Sequence, residues 1–596
     1  MKRCRVLFIW TDIESRIETG VIHLGVAYLS ATLKRAGHET ALIRVLEKIE
    51  KNELLRRVAD FRPDLIAFSA MTNQFDYCAQ LADWIKEPFD IPVLFGGHHP
   101  SLAPEEVIAR KSIDMLCRGE GEDALVELAD RMAAGKDFTG VANFWVKKNG
   151  AVARNDVRPI RSNINDMPFM DLDIFNLNEM FPPGAGINLH FMSGRGCPYN
   201  CSYCCNPAIR RLYRGKGRIV RFRDVPVAVA ELKHHRRNYP RINYFTGQDE
   251  TFTLRKDWAM EFCRQYRREV GVPFSAMVRL NQLDEEMMRA LKSANCDLLR
   301  IGVESGSEWL REHVLRRKMS NEQIIRVFDL ADKIGIRTWA FIIIGFPHET
   351  PAMIEETFAL VRRLRPNQTQ LAIYYPYPST DLYEESKREG WLTDETASSY
   401  FEKPILNLPT ISREQILDYY SAFRQELVEM AAKKEGRGVY DFISNIDKAE
   451  TKTDDKRFVR ITTFFEEYPA RFWLQAHPFS EITYNVDVPR NGKLVFDIGM
   501  DPTTYKQPGK GVKFEIEKDG KKIFSEYLDP KARAKDRGWF HFELPLRGEG
   551  KTQIKFRTMP APRSNNHYCN AGWGRPHIAV NHARDQGNLI VKRAIS

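Results

Sequence analysis

Short apolar runs alternate with amphipathic stretches over the first 134 residues of the chain. The runs are RVLFIW (5–10), ETALIRV (39–45), LIAFSA (65–70), PVLFGG (92–97) and MLC (115–117). Strands that alternate with helices predict a doubly wound parallel sheet. The ligand of such a sheet lies beyond the carboxyl ends of its strands. Here these ends carry small residues, which predicts a narrow cleft lined by SAMTNQ (69–74), GGHHPS (96–101) and RGEGE (118–122).

A second alternating region follows a hairpin at Asn149–Gly150 and a connector of about 30 residues. Six strand and helix pairs predict a barrel or partial barrel, with its chemistry at the carboxyl ends of the strands. The predicted strands are INLHFMS (187–193), INYFTG (242–247), PFSAMV (273–278), LLRIGVES (298–305), WAFIIIGF (339–346) and QLAIYY (370–375).

The last third of the chain changes period. REQILDYYSAFRQELVEMAAKK (413–434) predicts an amphipathic helix, and the polar stretch 446–456 predicts a linker. Short alternating strands then predict a β-sandwich. The fold class is therefore α/β, with a Rossmann-like domain, a partial (β/α)6 barrel and an all-β sandwich. The expected boundaries are a first domain at 1–140, a hairpin and connector at 141–186, a barrel at 187–392, a helical extension at 393–450, and a sandwich at 455–596.

Composition and charge narrow the class of protein. The chain has 596 residues, 43% hydrophobic and 28% charged, which is typical of a folded multidomain protein. No window reaches the roughly 20 apolar residues that cross a bilayer, and the first apolar run is too short for a signal peptide, so we expect a cytoplasmic protein. The net charge of +10 includes a basic stretch at 210–223 that could attract an anionic substrate. Without a nucleic-acid motif beside it, a solvated basic face is favoured and no nucleic-acid partner is expected.

Four of the ten cysteines lie within residues 197–205, where the segment MSGRGCPYNCSYCCNP spaces three of them as C-x3-C-x2-C. Clustered thiols indicate a metal rather than disulfides. Three thiolates, Cys197, Cys201 and Cys204, can hold three irons of a cubane and leave the fourth iron open. A structural zinc site is disfavoured because zinc prefers four ligands. Cys205 directly follows Cys204 and is expected to point away.

This cysteine loop resembles the signature of the radical S-adenosylmethionine (SAM) superfamily, and the resemblance covers about 187–380. It implies a [4Fe–4S] cluster whose open iron binds SAM. A one-electron reductant such as flavodoxin or ferredoxin would then drive cleavage of SAM to a 5′-deoxyadenosyl radical. The protein would position the cofactor and exclude water.

The same resemblance implies that residues at successive strand ends contact SAM. Each of them taken alone would more often be a turn or a cap, but their shared position favours a site. His348 after the fifth strand could donate a proton, or serve only as a hydrogen-bonding residue. The expected SAM-binding residues are Tyr203, Gly247, Asp249, Glu250, Arg279, Glu304, Ser305, Gly345 and Pro347.

The N-terminal domain resembles the cobalamin (B12) domain of B12-dependent radical SAM enzymes. The residues that carry the resemblance are LGVAYLSATLKRAGHE (24–39), PDLIAFSAMT (63–72), VLFGGHHPS (93–101) and CRGEGEDAL (117–125). A dinucleotide site is excluded because G-x-G-x-x-G does not follow the first strand. Small residues suit a flat macrocycle, although the domain could keep the fold without the cofactor. The expected cobalamin contacts are Ser69, Thr72, Gly96, Gly97, His98, Gly119, Glu120 and Gly121.

Cobalt is expected to have no histidine ligand. The D-x-H-x-x-G motif of other cobalamin proteins is absent, because Asp12 is followed by Glu14 at the histidine position. The resemblance therefore implies cobalamin bound base-off. His23, His98 and His99 are the alternatives, although a Gly-Gly-His-His turn is more typical of a contact with the corrin edge.

The resemblance implies methylation at an unactivated carbon or phosphorus. The alternatives are a non-methylating B12 radical SAM reaction, such as cyclisation, rearrangement or oxidation, and a binding or scaffold protein with a structural cluster. The loop NNHYCNAGWGRPHI (565–578) resembles carbohydrate-binding sandwiches, so the last domain could contact a glycan or a protein. The favoured interpretation is that Trp539 and Trp573 belong to a core.

Overall fold

The structure is a computed structural model. It describes residues 3–13, 22–181, 186–397, 399–434, 440–453, 459–464, 471–501, 504–505, 508–546, 548–560, 570–580 and 590–593. Glu14, part of the 446–456 linker and the start of the loop at 565–578 lie outside these residues. By internal contacts the chain divides into two units, one of residues 1–181, 186–364 and 370–420 and the other mainly of residues 421–596. No helix within the described ranges has the length and hydropathy of a membrane span.

The N-terminal domain is a seven-stranded sheet in the order β2-β1-β3-β4-β5-β6-β7. Its strands are β1 (Arg5–Thr11), β2 (Glu39–Val45), β3 (Leu65–Ser69), β4 (Val93–Gly96), β5 (Met115–Cys117), β6 (Phe144–Lys148) and β7 (Ala151–Arg154). Its helices are α1 (Leu24–Arg35), α2 (Lys51–Phe61), α3 (Phe75–Lys86), α4 (His98–Leu102), α5 (Pro104–Ala109) and α6 (Glu122–Ala133). Strands β1 to β5 are parallel. The predicted doubly wound sheet is confirmed.

Burial on both faces explains the continuous apolar runs. Six of the seven residues of β1 are buried, because helices cover both sides of a parallel sheet. The hairpin β6–β7 was predicted as a separate segment, but β6 pairs antiparallel with β5 and extends this sheet. The first sheet therefore continues to Arg154.

The connector after the hairpin is packed against its neighbours. The Asp171 N–H donates to the carbonyl of Ala27 in α1 over 3.2 Å, and the Met170 N–H donates to Glu231 Oε1 over 2.8 Å. It includes the short helix α7 (Leu177–Met180). Its buried apolar residues are Val157, Ile160, Ile164, Met167, Met170, Leu172, Phe175, Leu177 and Phe181. The connector therefore joins the first domain to the barrel through both hydrogen bonds and apolar packing.

The second region forms a six-stranded sheet in the order β15-β14-β13-β12-β11-β8. Its strands are β8 (Ile187–Phe191), β11 (Ile242–Gly247), β12 (Phe274–Val278), β13 (Cys296–Glu304), β14 (Arg337–Ile344) and β15 (Gln368–Ile373), with a small ribbon of β9 (Gly194–Arg195) and β10 (Arg221–Phe222). The helices are α8 (Cys205–Leu212), α9 (Val225–Asn238), α10 (Lys256–Glu269), α11 (Glu285–Ser293), α12 (Asn321–Ile334), α13 (Pro351–Leu364), α14 (Asp381–Arg388) and α15 (Arg413–Lys434).

Strands β8, β11, β12, β13 and β14 pair in parallel, and the sheet ends at β8 and β15 without closing. The predicted partial barrel is confirmed. Burial alternates along β14, where Trp339 and Phe341 are half-buried and Ala340 and Ile342 are buried. One face thus packs against helices while the other borders the open interior of the half barrel.

The second unit contains two antiparallel sheets. Their strands are β16 (Tyr440–Asp441), β17 (Glu450–Thr453), β18 (Val459–Phe464), β19 (Arg471–Ala476), β20 (Ser480–Val488), β21 (Gly492–Met500), β22 (Val512–Lys518), β23 (Lys521–Leu528), β24 (Phe540–Pro545), β25 (Gly550–Pro560), β26 (Ala571–Val580) and β27 (Ile590–Arg593). Trp539 and Trp573 are 5% and 0% exposed, so both are core residues, as favoured from the sequence.

Candidate active site

The cluster loop, residues 192–207, begins directly after β8 and ends in α8. Cys201 is 7% exposed, and Cys197 and Cys204 are half-buried. Two guanidinium groups approach Cys201, since Nη1 of Arg279 and Nη1 of Arg317 each lie 3.8 Å from its Sγ. Positive charge beside a thiolate stabilises the charged form that binds iron.

Arg317 contacts two residues of the predicted SAM site, Tyr203 and Glu304, and the backbone of Gly302. It donates to the Gly302 carbonyl over 2.5 Å and to the Tyr203 hydroxyl over 3.3 Å, and it lies 3.6 Å from the Glu304 carboxylate. Burial raises the pKa of Glu304, and Arg317 acts in the opposite direction. Sequence reasoning missed Arg317, because only the fold places this residue beyond β13 next to a cysteine far away in sequence.

Two acidic residues beyond β11 hold the cluster loop through its backbone. Both carboxylate oxygens of Asp249 accept the Ser193 N–H, at 3.1 and 3.2 Å, and the Gly194 N–H donates to the same carboxylate. Burial raises the pKa of Asp249 to about 7, and the bond from Ser193 lowers it. The N–H of Gly196 donates to Glu250. Both side chains therefore bind the loop itself, a role that the resemblance did not imply.

Gly247 has little free space around it. A Cβ at this position would lie 3.1 Å from both Phe191 and the Ser275 carbonyl, so a larger residue would crowd the strand end. Ser305 is fully buried, its Oγ lies 3.2 Å from Thr357 Oγ1, and it accepts the Ser307 N–H. These contacts engage the Ser305 hydroxyl within the protein, and its predicted contact with SAM stays a prediction.

The turn after β14 is fixed by a carboxylate that sequence reasoning also missed. Gly345 has φ +81° and Pro347 is buried. Glu349 Oε2 accepts the N–H groups of Gly345 and Phe346, at 2.5 and 3.1 Å. His348 Nε2 lies 2.8 Å from Glu385, which favours the hydrogen-bonding interpretation of this histidine.

The cysteine loop suits a cubane better than a mononuclear zinc site. Tetrahedral zinc would bring thiolates to within about 3.8 Å of each other. Among the described residues, no three His, Cys, Asp or Glu side chains converge around one ion. The neighbouring thiol of Cys205 raises the pKa of Cys204 at the start of α8, and the expectation that Cys205 points away from the cluster stays a prediction. Three thiolates on one loop beside two arginines suit the larger, negatively charged cubane.

At the carboxyl edge of the N-terminal sheet, two of the three candidate histidines are already engaged. The Val26 N–H donates to His23 Nδ1 over 3.1 Å, and His23 Nε2 lies 3.1 Å from Ser69 Oγ. His99 is 2% exposed, with Nδ1 3.3 Å from Thr72 Oγ1. Burial lowers the pKa of both histidines to about 4, so both are neutral at pH 7.

The same edge exposes apolar surface. Leu46 and Met71 follow β2 and β3 and are 38% and 37% exposed, which is unusual for large apolar side chains. Gly97 has φ +101°, and a Cβ there would lie 2.8 Å from the Ala70 carbonyl. A Cβ at Gly96 would meet no atom closer than 3.8 Å. An apolar edge with close backbone approach fits a flat macrocycle such as corrin.

The glycines of RGEGE serve protein contacts. A Cβ on Gly119 would lie 2.1 Å from Tyr213 Oη, and one on Gly121 would lie 3.3 Å from Leu29. Glu120 accepts a hydrogen bond from Arg221 over 3.0 Å. Gly119, Glu120 and Gly121 thus contact the chain itself, and their contact with cobalamin stays a prediction.

His98 is the candidate histidine that remains accessible. It is exposed to solvent at the start of α4, which packs against α8 of the barrel. The protein atoms crowded around the ring lower its pKa by partial desolvation, even though the ring still reaches solvent, and the nearby Glu250 carboxylate raises it. Leu102 at the end of α4 accepts a hydrogen bond from Ser379 Oγ over 2.7 Å. The Gly-Gly-His-His turn therefore lies beside the loop that carries the cysteines.

Comparisons with known proteins identify both domains. Residues 191–361 match the radical SAM superfamily, and residues 13–129 match the B12-binding domain. An uncharacterized methyltransferase of Pyrococcus horikoshii is 28% identical over 427 residues, covering 70% of this chain and 90% of the relative. The anaerobic magnesium-protoporphyrin IX monomethyl ester cyclase of Rubrivivax gelatinosus is 25% identical over 415 residues, covering 66% and 71%.

A solved structure shares the fold. The radical SAM methyltransferase TsrM from Kitasatospora setae, solved with cobalamin and a [4Fe–4S] cluster bound, has a TM-score of 0.53 at 17% identity and covers 65% of this chain and 75% of its own. The two domain matches make the chain a radical SAM enzyme. With a B12-binding domain before the barrel, it belongs to the B12-dependent radical SAM family, whose cofactors are a [4Fe–4S] cluster, SAM and cobalamin.

Proposed function

We propose that this enzyme transfers a methyl group from SAM, through cobalamin, to an unactivated carbon or phosphorus. The observation that carries the proposal is the contact between α4, which begins at His98 of the B12-binding domain, and α8, which begins directly after Cys204. This contact supports one shared cavity for the two cofactors. When bound, the cluster with SAM supplies hydrogen-atom abstraction, and cobalamin supplies the methyl group.

The chain's own residues prepare this cavity. Arg279 and Arg317 offset the negative charge of the cluster thiolates, and Glu304 holds Arg317 in place. Asp249 accepts hydrogen bonds from the backbone of Ser193 and Gly194, which restrains the start of the cluster loop. Rigid placement matters because a misplacement of about 1 Å can cost roughly 100-fold in rate.

The experiment is anaerobic reconstitution of the full chain with iron, sulfide and hydroxocobalamin. SAM and a reductant are then added, and S-adenosylhomocysteine and 5′-deoxyadenosine are measured by mass spectrometry. Methyl transfer requires both products, with cobalamin absorbance that stays with the protein. A Cys201→Ser variant is the control and should give no 5′-deoxyadenosine, because the cluster loses a ligand.

The result separates the two reactions left open by the sequence. 5′-Deoxyadenosine without S-adenosylhomocysteine would refute methyl transfer and favour a non-methylating reaction, such as that of the cyclase from Rubrivivax gelatinosus. A reconstituted cluster that yields neither product would refute both.

A further inference from the structure

A two-stranded ribbon leads into the cluster loop and places two arginines side by side. In this antiparallel pair, Arg195 of β9 lies directly opposite Arg221 of β10. Arg195 is only two residues before Cys197. Like charges directly opposite each other in a strand pair are destabilising, and here both side chains are largely buried, at 14% and 4% exposed. The ribbon therefore needs negative charge from elsewhere.

That charge comes from the B12-binding domain. Glu122 Oε1 accepts a hydrogen bond from Arg195 Nη2 over 2.6 Å. Glu120 accepts from Arg221 Nη1 over 3.0 Å and lies 3.6 Å from Arg195. The acidic loop, residues 118–122, thus neutralises both arginines.

Two further contacts hold the acidic loop and the ribbon in place. The Glu120 N–H donates to Tyr213 Oη over 2.7 Å, and Gly119 with φ +73° leaves room for this ring. On the other side, the Arg195 guanidinium lies 5.6 Å from the ring centre of Tyr28 in α1, within cation–π range. The ribbon is therefore held by two elements of the B12-binding domain.

We propose that Glu122 and Arg195 form a positioning pair that sets the distance between the cluster loop and the bound cobalamin. This inference rests on the proposed function. Cleavage of SAM to 5′-deoxyadenosine needs only the barrel, whereas methylation of cobalamin by SAM needs both domains at the right separation. Loss of the pair should therefore impair the second reaction far more than the first.

The test compares Glu122→Gln, Arg195→Gln and the double variant with wild type, each as the reconstituted full chain. Iron and cobalamin content are measured first. In the single variants, the initial rate of S-adenosylhomocysteine formation should fall at least tenfold, and that of 5′-deoxyadenosine less than threefold. The double variant should be no worse than the poorer single variant, because the two side chains act as one pair. Arg195→Lys, which keeps the charge, should restore part of the loss.

Glu127→Gln is the matched control. Glu127 lies on the same helix α6 as Glu122, but its carboxylate pairs with Arg131 at 2.9 Å and Arg158 at 3.0 Å and not with the two ribbon arginines. This variant should keep both rates within twofold of wild type.

A second readout does not depend on turnover. Electron paramagnetic resonance of the protein with reduced cluster and cob(II)alamin reports their spin coupling, which falls steeply with distance. The coupling should change in Glu122→Gln and Arg195→Gln but not in Glu127→Gln. Equal loss of both products, additive single effects or unchanged coupling would overturn the positioning pair. If wild type forms no S-adenosylhomocysteine, the proposed function fails. The spin coupling still tests whether Glu122 and Arg195 set the distance between the cluster and cobalamin.

Discussion

The Nη1 atom of Arg317 lies 3.8 Å from the Sγ of Cys201, which joins the residue that follows the fourth barrel strand to the loop after the first. A cationic group this close to a cluster thiolate favours the added electron when the cluster is reduced. Its environment is buried, so water screens the charge little.

Replacing this guanidinium should therefore make the cluster harder to reduce. We expect Arg317→Gln to lower the reduction potential by on the order of 50 mV, measured by a redox titration followed by electron paramagnetic resonance. Arg316→Gln is the control, because the Arg316 side chain is 53% exposed and pairs with Asp381. Equal potentials in the two variants would contradict this role for Arg317.

The four neighbouring cysteines should separate into ligands and a bystander. Cys197→Ser, Cys201→Ser and Cys204→Ser should each fall well short of the roughly four irons per chain of a complete cubane. Cys205→Ser should keep full iron and sulfide, because Cys205 is expected to point away from the cluster. Iron and sulfide analysis after anaerobic reconstitution checks this. Loss of the cluster in Cys205→Ser would assign a fourth ligand.

Cobalt should carry no histidine nitrogen. His23 and His99 are engaged within the domain, so His98 is the candidate to examine. We expect the cob(II)alamin spectrum of the protein to be the same with ¹⁴N- and ¹⁵N-labelled histidine. His98→Ala should weaken cobalamin retention about three- to tenfold, as for one lost hydrogen bond. His313→Ala, an exposed residue, is the control. A nitrogen coupling that disappears in His98→Ala would show ligation.

Glu349 should make stability depend on pH. Burial raises its pKa from 4.5 to about 8, against the two N–H groups that lower it. Between these values the folded chain binds a proton that the unfolded chain has released. The free energy of unfolding therefore falls as the pH rises from about 4.5 to about 8 and then levels off.

Glu349→Gln cannot ionise and should lack this decline. From pH 5 to pH 8.5, the wild type should lose on the order of 2–4 kcal/mol relative to the variant, seen as a divergence of their thermal midpoints. The exposed Glu322→Gln should follow the wild type. Parallel curves for Glu349→Gln and wild type would show that the carboxylate is already ionised at low pH.

Much of the fold could be predicted because its strands are local patterns with clear ends. β2 and β11 match the predicted runs 39–45 and 242–247 residue for residue, because Gly and Pro punctuate buried apolar runs. The three cluster cysteines could also be predicted from the sequence, because one short loop carries all of them. The end of the first domain, expected near residue 140, could not be placed from the sequence. The pairing of β6 with β5 is a contact between segments that are distant in sequence.

The residues that support the site from behind could not be predicted either, because their contacts also join segments that are distant in sequence. Arg317 and Glu349 sit in ordinary charged stretches, and only burial next to Cys201 or Gly345 distinguishes them. The acidic loop was read as a cobalamin contact because glycines suit a flat ligand. In the structure its glycine at 119 makes room for Tyr213, a residue of the barrel region.

The packed connector has a consequence for engineering. Its backbone is hydrogen-bonded to both α1 and α9. The B12-binding domain is therefore not joined to the barrel by a flexible linker. A chimera that takes this domain from a relative and joins it at residue 155 would pair foreign surfaces with residues 157–175. Exchanging residues 5–181 as one cassette, with α9 retailored to match, keeps these partners together.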